Sequence, residues 1–160
     1  GISDYLGRAV GFKLTHQLSH ATREPDGFKN FGTYCRFIND ELGRLASRLK
    51  ATPEPGGEGS MLDNTALFFG SASSAFHLSR NYPLLLFGGK NMGFKHGQYL
   101  KFGEGNDKNQ ATSGIANDSG WRAEMRYTEL PLSNLYLSML HKLGVEAKSF
   151  GGSTETLREV

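Results

Sequence analysis

The sequence predicts an α/β fold, a mixed or mostly parallel sheet flanked by helices. Three observations carry this expectation. One stretch, residues 28–50, repeats apolar side chains at helical spacing. Two short runs, 65–69 and 82–87, are apolar on both faces and end in glycine, as strands of a covered central sheet do. Glycine supplies 21 of the 160 residues, against roughly 7% in ordinary chains, which argues against an all-helical bundle.

The helix comes first in that argument. Phe28, Phe31, Cys35, Ile38, Leu42, Leu45 and Leu49 recur at alternating steps of three and four and form one apolar face. Arg36, Asp40, Glu41, Arg44 and Arg48 fill the others, and Pro53 and Pro55 with Gly56 and Gly57 stop the helix. The run 65–69 follows a turn at Met61, Leu62, Asp63 and Asn64, and Gly70 closes it. In the second run Pro83 takes the first strand position, where a missing N–H is tolerated. Residues 103–119 are polar and glycine-bearing, and a long loop insertion is expected over 103–126, with Trp121 as its anchor. A second helix opens at Leu130 and Pro131, with Pro131 near its first turn. Its apolar face is Leu132, Leu135, Tyr136, Met139, Leu140 and Leu143, and Gly144 is suited to its C-terminal stop. A short last turn is expected over 155–158.

Length and composition bound the function. A chain of 160 residues forms a single domain or the C-terminal portion of a larger one. With 38% hydrophobic and 21% charged residues it fits neither a disordered tail nor a membrane protein. No window approaches the roughly 18 apolar residues of a membrane span. A net charge of +2 is too balanced for a nucleic-acid binder. The lone cysteine, Cys35, excludes an intrachain disulfide and reads as a small core hydrophobe, with a reactive thiol as the alternative. The opening residues Gly1, Ile2, Ser3 and Asp4 carry no targeting signal, and a first residue other than Met points to further sequence upstream.

Five histidines are the main candidates for chemistry. His16 and His20 stand four apart, the spacing that places two imidazoles on one helix face where they can chelate a metal. The same spacing serves histidines that hydrogen-bond buried backbone, which spacing alone favours, since no Cys or acidic residue lies close by to complete a metal site. His77 follows the first apolar run, and ligands in open α/β sheets sit beyond strand ends. The serines beside it, Ser71, Ser73 and Ser74, complete no Gly-x-Ser-x-Gly elbow. His96 lies in a glycine turn, and His141 near a helix C-terminus, where a cation favours the dipole. Gly88, Gly89, Lys90 and Gly93 follow a strand but form no Walker A motif, so positive φ angles explain these glycines better than a phosphate cradle.

Taken together these segments resemble a bacterial family of uncharacterised function, the HxxSHH proteins. The naming motif corresponds to His16, Ser19 and His20, with Ala21 in place of its last histidine. A Leu-Asp-Asn-Thr element with an apolar strand and Gly-Ser is similar to Met61 through Ser71, and a second, with a Gly-Gly end, to Asn81 through Gly89. The family's lysine-glycine turn and final helix are similar to Lys95 through Gly97 and Leu130 through Leu137, and its ending to Leu143 through Thr154. The resemblance runs nearly end to end, over the C-terminal part of longer, exported proteins.

It implies an alkaline-phosphatase-like and sulfatase-like architecture, an extracytoplasmic location, and His16, His20 and His77 near a divalent metal. The loop 72–80 departs from the family's Asp-, Gly- and His-rich loop and has no carboxylate, which removes charge that a divalent ion needs. Two functional classes follow. One is a non-catalytic, degenerate member acting as a structural or accessory subunit of an extracytoplasmic assembly, its partners being other protein subunits or an N-terminal segment. The other is a metal-dependent hydrolase of phosphate or sulfate esters.

Overall fold

The computed structural model describes residues 15–21, 24–71, 82–102 and 130–160. The chain divides into two compact units, Gly1–Thr52 and Pro53–Val160.

Among its described residues the first unit holds two helices. Helix α1 (Thr15–His20) packs on α2 (Gly27–Ala51) and buries Leu18 completely. The link between them is closed by turns, with Glu24 N–H donating to Ala21 O and Gly27 N–H to Glu24 O at 3.0 and 2.9 Å. Asp26 precedes α2 with φ 59°, a left-handed conformation that Asp tolerates better than most residues. At the other end the Thr52 hydroxyl donates to Arg48 O at 2.7 Å, satisfying one orphan carbonyl, and Pro53 prevents continuation.

Helix α2 agrees with the expected span to within one residue at each end. Its covered side drifts from the predicted stripe. Phe28 and Leu45 are 73% and 46% exposed, while Ala46 is half-buried. The other predicted positions, Phe31, Cys35, Ile38, Leu42 and Leu49, are half-buried.

Among the described residues, the second unit is built on two strands, β1 (Ala66–Gly70) and β2 (Leu84–Gly88). They pair antiparallel, from Ala66 opposite Gly88 to Gly70 opposite Leu84. The α/β class therefore holds at the level of helices with a small sheet. The mostly parallel arrangement does not describe this pair, the only one among the described residues. An antiparallel pair needs no crossover helix between its strands, and runs that are apolar on both faces do not by themselves fix strand direction.

A 3-10 turn, Met61–Asn64, leads into β1. The Asp63 carboxylate reaches back to accept from both the Ser60 amide and the Ser60 hydroxyl, each at 2.8 Å. Asp63→Ala removes both bonds and is expected to cost about 1–2 kcal/mol, read as a lower urea midpoint with unchanged slope. After β2, Gly88 and Gly89 both take positive φ, 77° and 68°, and swing the chain into a second 3-10 turn, Lys90–Met92. The two turns are tied by Asn91, whose Nδ2 donates to Asn64 Oδ1 and Glu58 O at 3.1 and 3.2 Å.

Helix α3 (Leu132–Lys142) begins one residue later than Pro131 at its first turn would require, since Pro131 is the N-cap, with φ −65° and ψ 143°. It ends as expected at Gly144, φ 78°, with Gly144 N–H donating to His141 O and Val145 N–H to Leu140 O. Tyr136 stands edge-on to both Phe68 of β1 and Phe150 of the tail, with ring centroids 5.8 Å apart in each pair.

The deepest line of α3 is not its apolar face. Asn134, Leu137 and Ser138 are 0%, 4% and 3% exposed, whereas the residues expected inside are half-buried or, at Leu143, exposed. The C-terminal tail lies along that line. It is irregular over 155–158, where a helical turn was expected, and its last residue, Val160, is buried.

Candidate functional site

His16 and His20 occupy one exposed face of α1, opposite the buried Leu18. Their Nε2 atoms are 3.0 Å apart, with ring centroids at 4.6 Å and ring planes at 73°. Two imidazole nitrogens bound to one ion at about 2.0–2.1 Å, subtending roughly 90–109°, lie about 2.9–3.4 Å apart. The observed spacing fits that chelate. It also fits an N–H···N hydrogen bond between neutral rings. The Ser19 hydroxyl donates to His16 O at 2.7 Å and so serves the helix backbone.

His77, expected as the third ligand, lies outside the described residues, as do the loop 103–126 and Trp121. Among the described residues no group of three or more His, Cys, Asp or Glu side chains is placed to hold a metal. Ala21, at the position of the family's last histidine, is 7% exposed.

Among the described residues of the second unit, several side chains with chemical potential are committed to backbone. His96 Nε2–H donates to Gly88 O and His141 Nε2–H to Ala147 O, each at 2.6 Å. Lys142 Nζ donates to Gly93 O and Lys95 Nζ to Arg158 O, again at 2.6 Å. Gln98 Nε2 donates to Glu159 O. His141 thus holds the loop after its helix, close to the capping role the sequence indicates. The glycine turn after β2 behaves as expected too. Gly88, Gly89, Gly93 and Gly97 all have positive φ, and two of their carbonyls are taken by His96 and Lys142.

The central cluster was missed by sequence reasoning. Asn134 Oδ1 accepts from Thr154 N–H and Glu155 N–H at 2.9 and 3.4 Å, and its Nδ2 donates to Thr154 Oγ1 at 3.2 Å. The Ser138 hydroxyl donates to Asn134 O at 2.8 Å and accepts from Leu157 N–H at 2.7 Å. Asn134 and Ser138 therefore act as a surrogate strand edge for the tail, supplying the acceptors that its amides lack. A signal was present in the polar i, i+4 pair among the leucines of the helix, since a buried polar group needs a partner.

Cys35 is half-buried on the covered side of α2, and that burial pushes its thiol above the ordinary range. A thiol held protonated is a poor nucleophile, which agrees with a packing role.

No family model, curated protein or solved structure matches this chain.

Proposed function

We propose that the chain is a degenerate, non-catalytic member of the HxxSHH family, serving as a structural or accessory subunit of an extracytoplasmic assembly. The observation that carries this reading is the commitment of His96, His141, Lys95, Lys142, Asn134 and Ser138 to backbone groups. A catalytic surface needs such groups aimed at a substrate. Here they fix turns and a tail.

The small sheet supports the reading from another side. The described residues supply two strands, two strands alone are marginal in water, and Leu85 of β2 is 50% exposed, with Tyr99 beyond it at 89%. Further strands from an N-terminal segment or another subunit would cover such a surface and complete a mixed sheet. Nucleic acid is not the partner proposed, because the net charge is only +2.

The alternative, a metal-dependent hydrolase of phosphate or sulfate esters, is favoured by one observation, the chelate spacing of His16 and His20. A panel of such esters, assayed with and without added zinc and magnesium, separates the two. Wild type and His20→Ala are expected to match the buffer blank. Metal-dependent turnover by wild type that His20→Ala abolishes would overturn the non-catalytic reading.

A further inference from the structure

We propose that residues 154–160 exchange between two copies of this chain, each copy laying its tail on α3 of the other around a hinge at Gly151 and Gly152. With one exception the tail is held through its main chain. Thr154 and Glu155 N–H donate to Asn134 Oδ1, and Leu157 N–H donates to Ser138 Oγ. Arg158 O accepts from Lys95 Nζ, and Glu159 O from Gln98 Nε2. The exception is Thr154 Oγ1, which accepts from Asn134 Nδ2.

All of these partners lie before the hinge in sequence, on α3 or within residues 95–98. A second copy therefore presents the same set, and its tail can be received with the same bonds. The half-buried Leu157 and the buried Val160 supply apolar anchors that are recovered in the same way. The tail is gripped by side chains and adds no strand to the sheet, so exchange leaves the pairing of β1 with β2 intact.

The hinge is a short turn, closed by Ser153 N–H donating to Phe150 O at 3.0 Å and Phe150 N–H to Ser153 Oγ at 2.8 Å. Gly151 within it has φ 53°, and both glycines are exposed. Opening the turn gives up those two bonds, while Phe150, on the near side, keeps its edge-on contact with Tyr136. Exchange of one element between identical copies makes a closed, two-fold dimer at little cost. What opposes it is the effective concentration of the tail beside its own α3, on the order of millimolar for a short linker. This inference stands apart from the proposed function, because the tail, its partners and its hinge belong to this chain whatever its family.

Sedimentation equilibrium of the full chain, at concentrations from micromolar to millimolar, tests it. Wild type is expected to be monomeric at the low end and to dimerise with a Kd on the order of millimolar. Gly151→Ala strains the closed turn and not the opened one, once in each copy, so it should tighten the dimer by about thirtyfold. Gly144→Ala is the control. Its φ of 78° belongs to the end of α3, which monomer and dimer share, so its Kd should match wild type. In a mixture of isotope-labelled and unlabelled Gly151→Ala, filtered NOE spectra should connect the Leu157 amide of one copy to Ser138 of the other. Wild type and Gly151→Ala both monomeric at millimolar concentration overturn the proposal, as does a dimer in which Leu157 meets Ser138 only within one copy.

Discussion

Gly88→Ala is expected to destabilise the second unit by about 2–5 kcal/mol, combining left-handed strain with overpacking. Gly88 ends β2 with φ 77°. A Cβ there would drive into Thr65 O and stand 2.9 Å from Leu62 Cδ1 and 3.0 Å from Leu62 O. Two of these three are backbone carbonyls at the entrance to β1, and they cannot swing aside without opening the strand pair. The neighbouring bond from Gly89 N–H to Leu62 O, 2.8 Å, would be strained by the same shift. Gly97→Ala is the matched control. Its φ is 78°, but a Cβ there meets nothing within 4 Å. It should lose only the conformational part, about 1–2 kcal/mol. Urea midpoints for the two variants measure the difference. Equal losses would show that the close approach at Gly88 is not what requires glycine.

Asn134→Ala is expected to cost about 2–4 kcal/mol, from two tail amides losing their acceptor and a buried side chain leaving a void. Asn134→Leu separates these contributions. Leucine fills the volume but offers no acceptor to Thr154 N–H and Glu155 N–H, so most of the loss should persist. Recovery of wild-type stability by leucine would mean that packing, not hydrogen bonding, is what Asn134 provides. Because the tail also carries Phe150, which stacks edge-on against Tyr136, detachment should alter the near-UV dichroism along with the midpoint.

These two positions also mark what the sequence could and could not reveal. Helix α2 was legible because periodicity, charged faces and a Pro-Gly stop all agree over seven turns. The strands were legible as apolar runs ended by glycine, since Gly70 and Gly88 stand where the pair closes at each end. Their direction was not, because side-chain pattern carries burial and not pairing sense. The C-terminal stop of α3 at Gly144 was readable for the same reason as the glycine turn after β2: a positive φ restricts the residue type.

The inner line of α3 was not readable from hydrophobicity. Asn134 and Ser138 are buried because the tail returns to them from about twenty residues away, a long-range contact to which a local apolar count is blind. The histidines divide in the same way. Spacing alone placed His16 and His20 on one helix face. Nothing local distinguished His96 and His141 as backbone donors from histidines presented to a pocket, since that depends on which carbonyl the folded chain brings within reach.

That the described polar groups of the α3 line hold the backbone of the tail is tested most directly by amide hydrogen exchange at Thr154 and Leu157. Both amides donate to buried side chains, Asn134 Oδ1 at 2.9 Å and Ser138 Oγ at 2.7 Å. In wild type they should exchange slowly, as amides that open only with the surrounding structure do. Asn134→Ala should release Thr154, and Ser138→Ala should release Leu157, while amides paired across β1 and β2 keep most of their protection. Fast exchange of Thr154 and Leu157 in the wild-type protein, at rates that neither substitution changes, would contradict it.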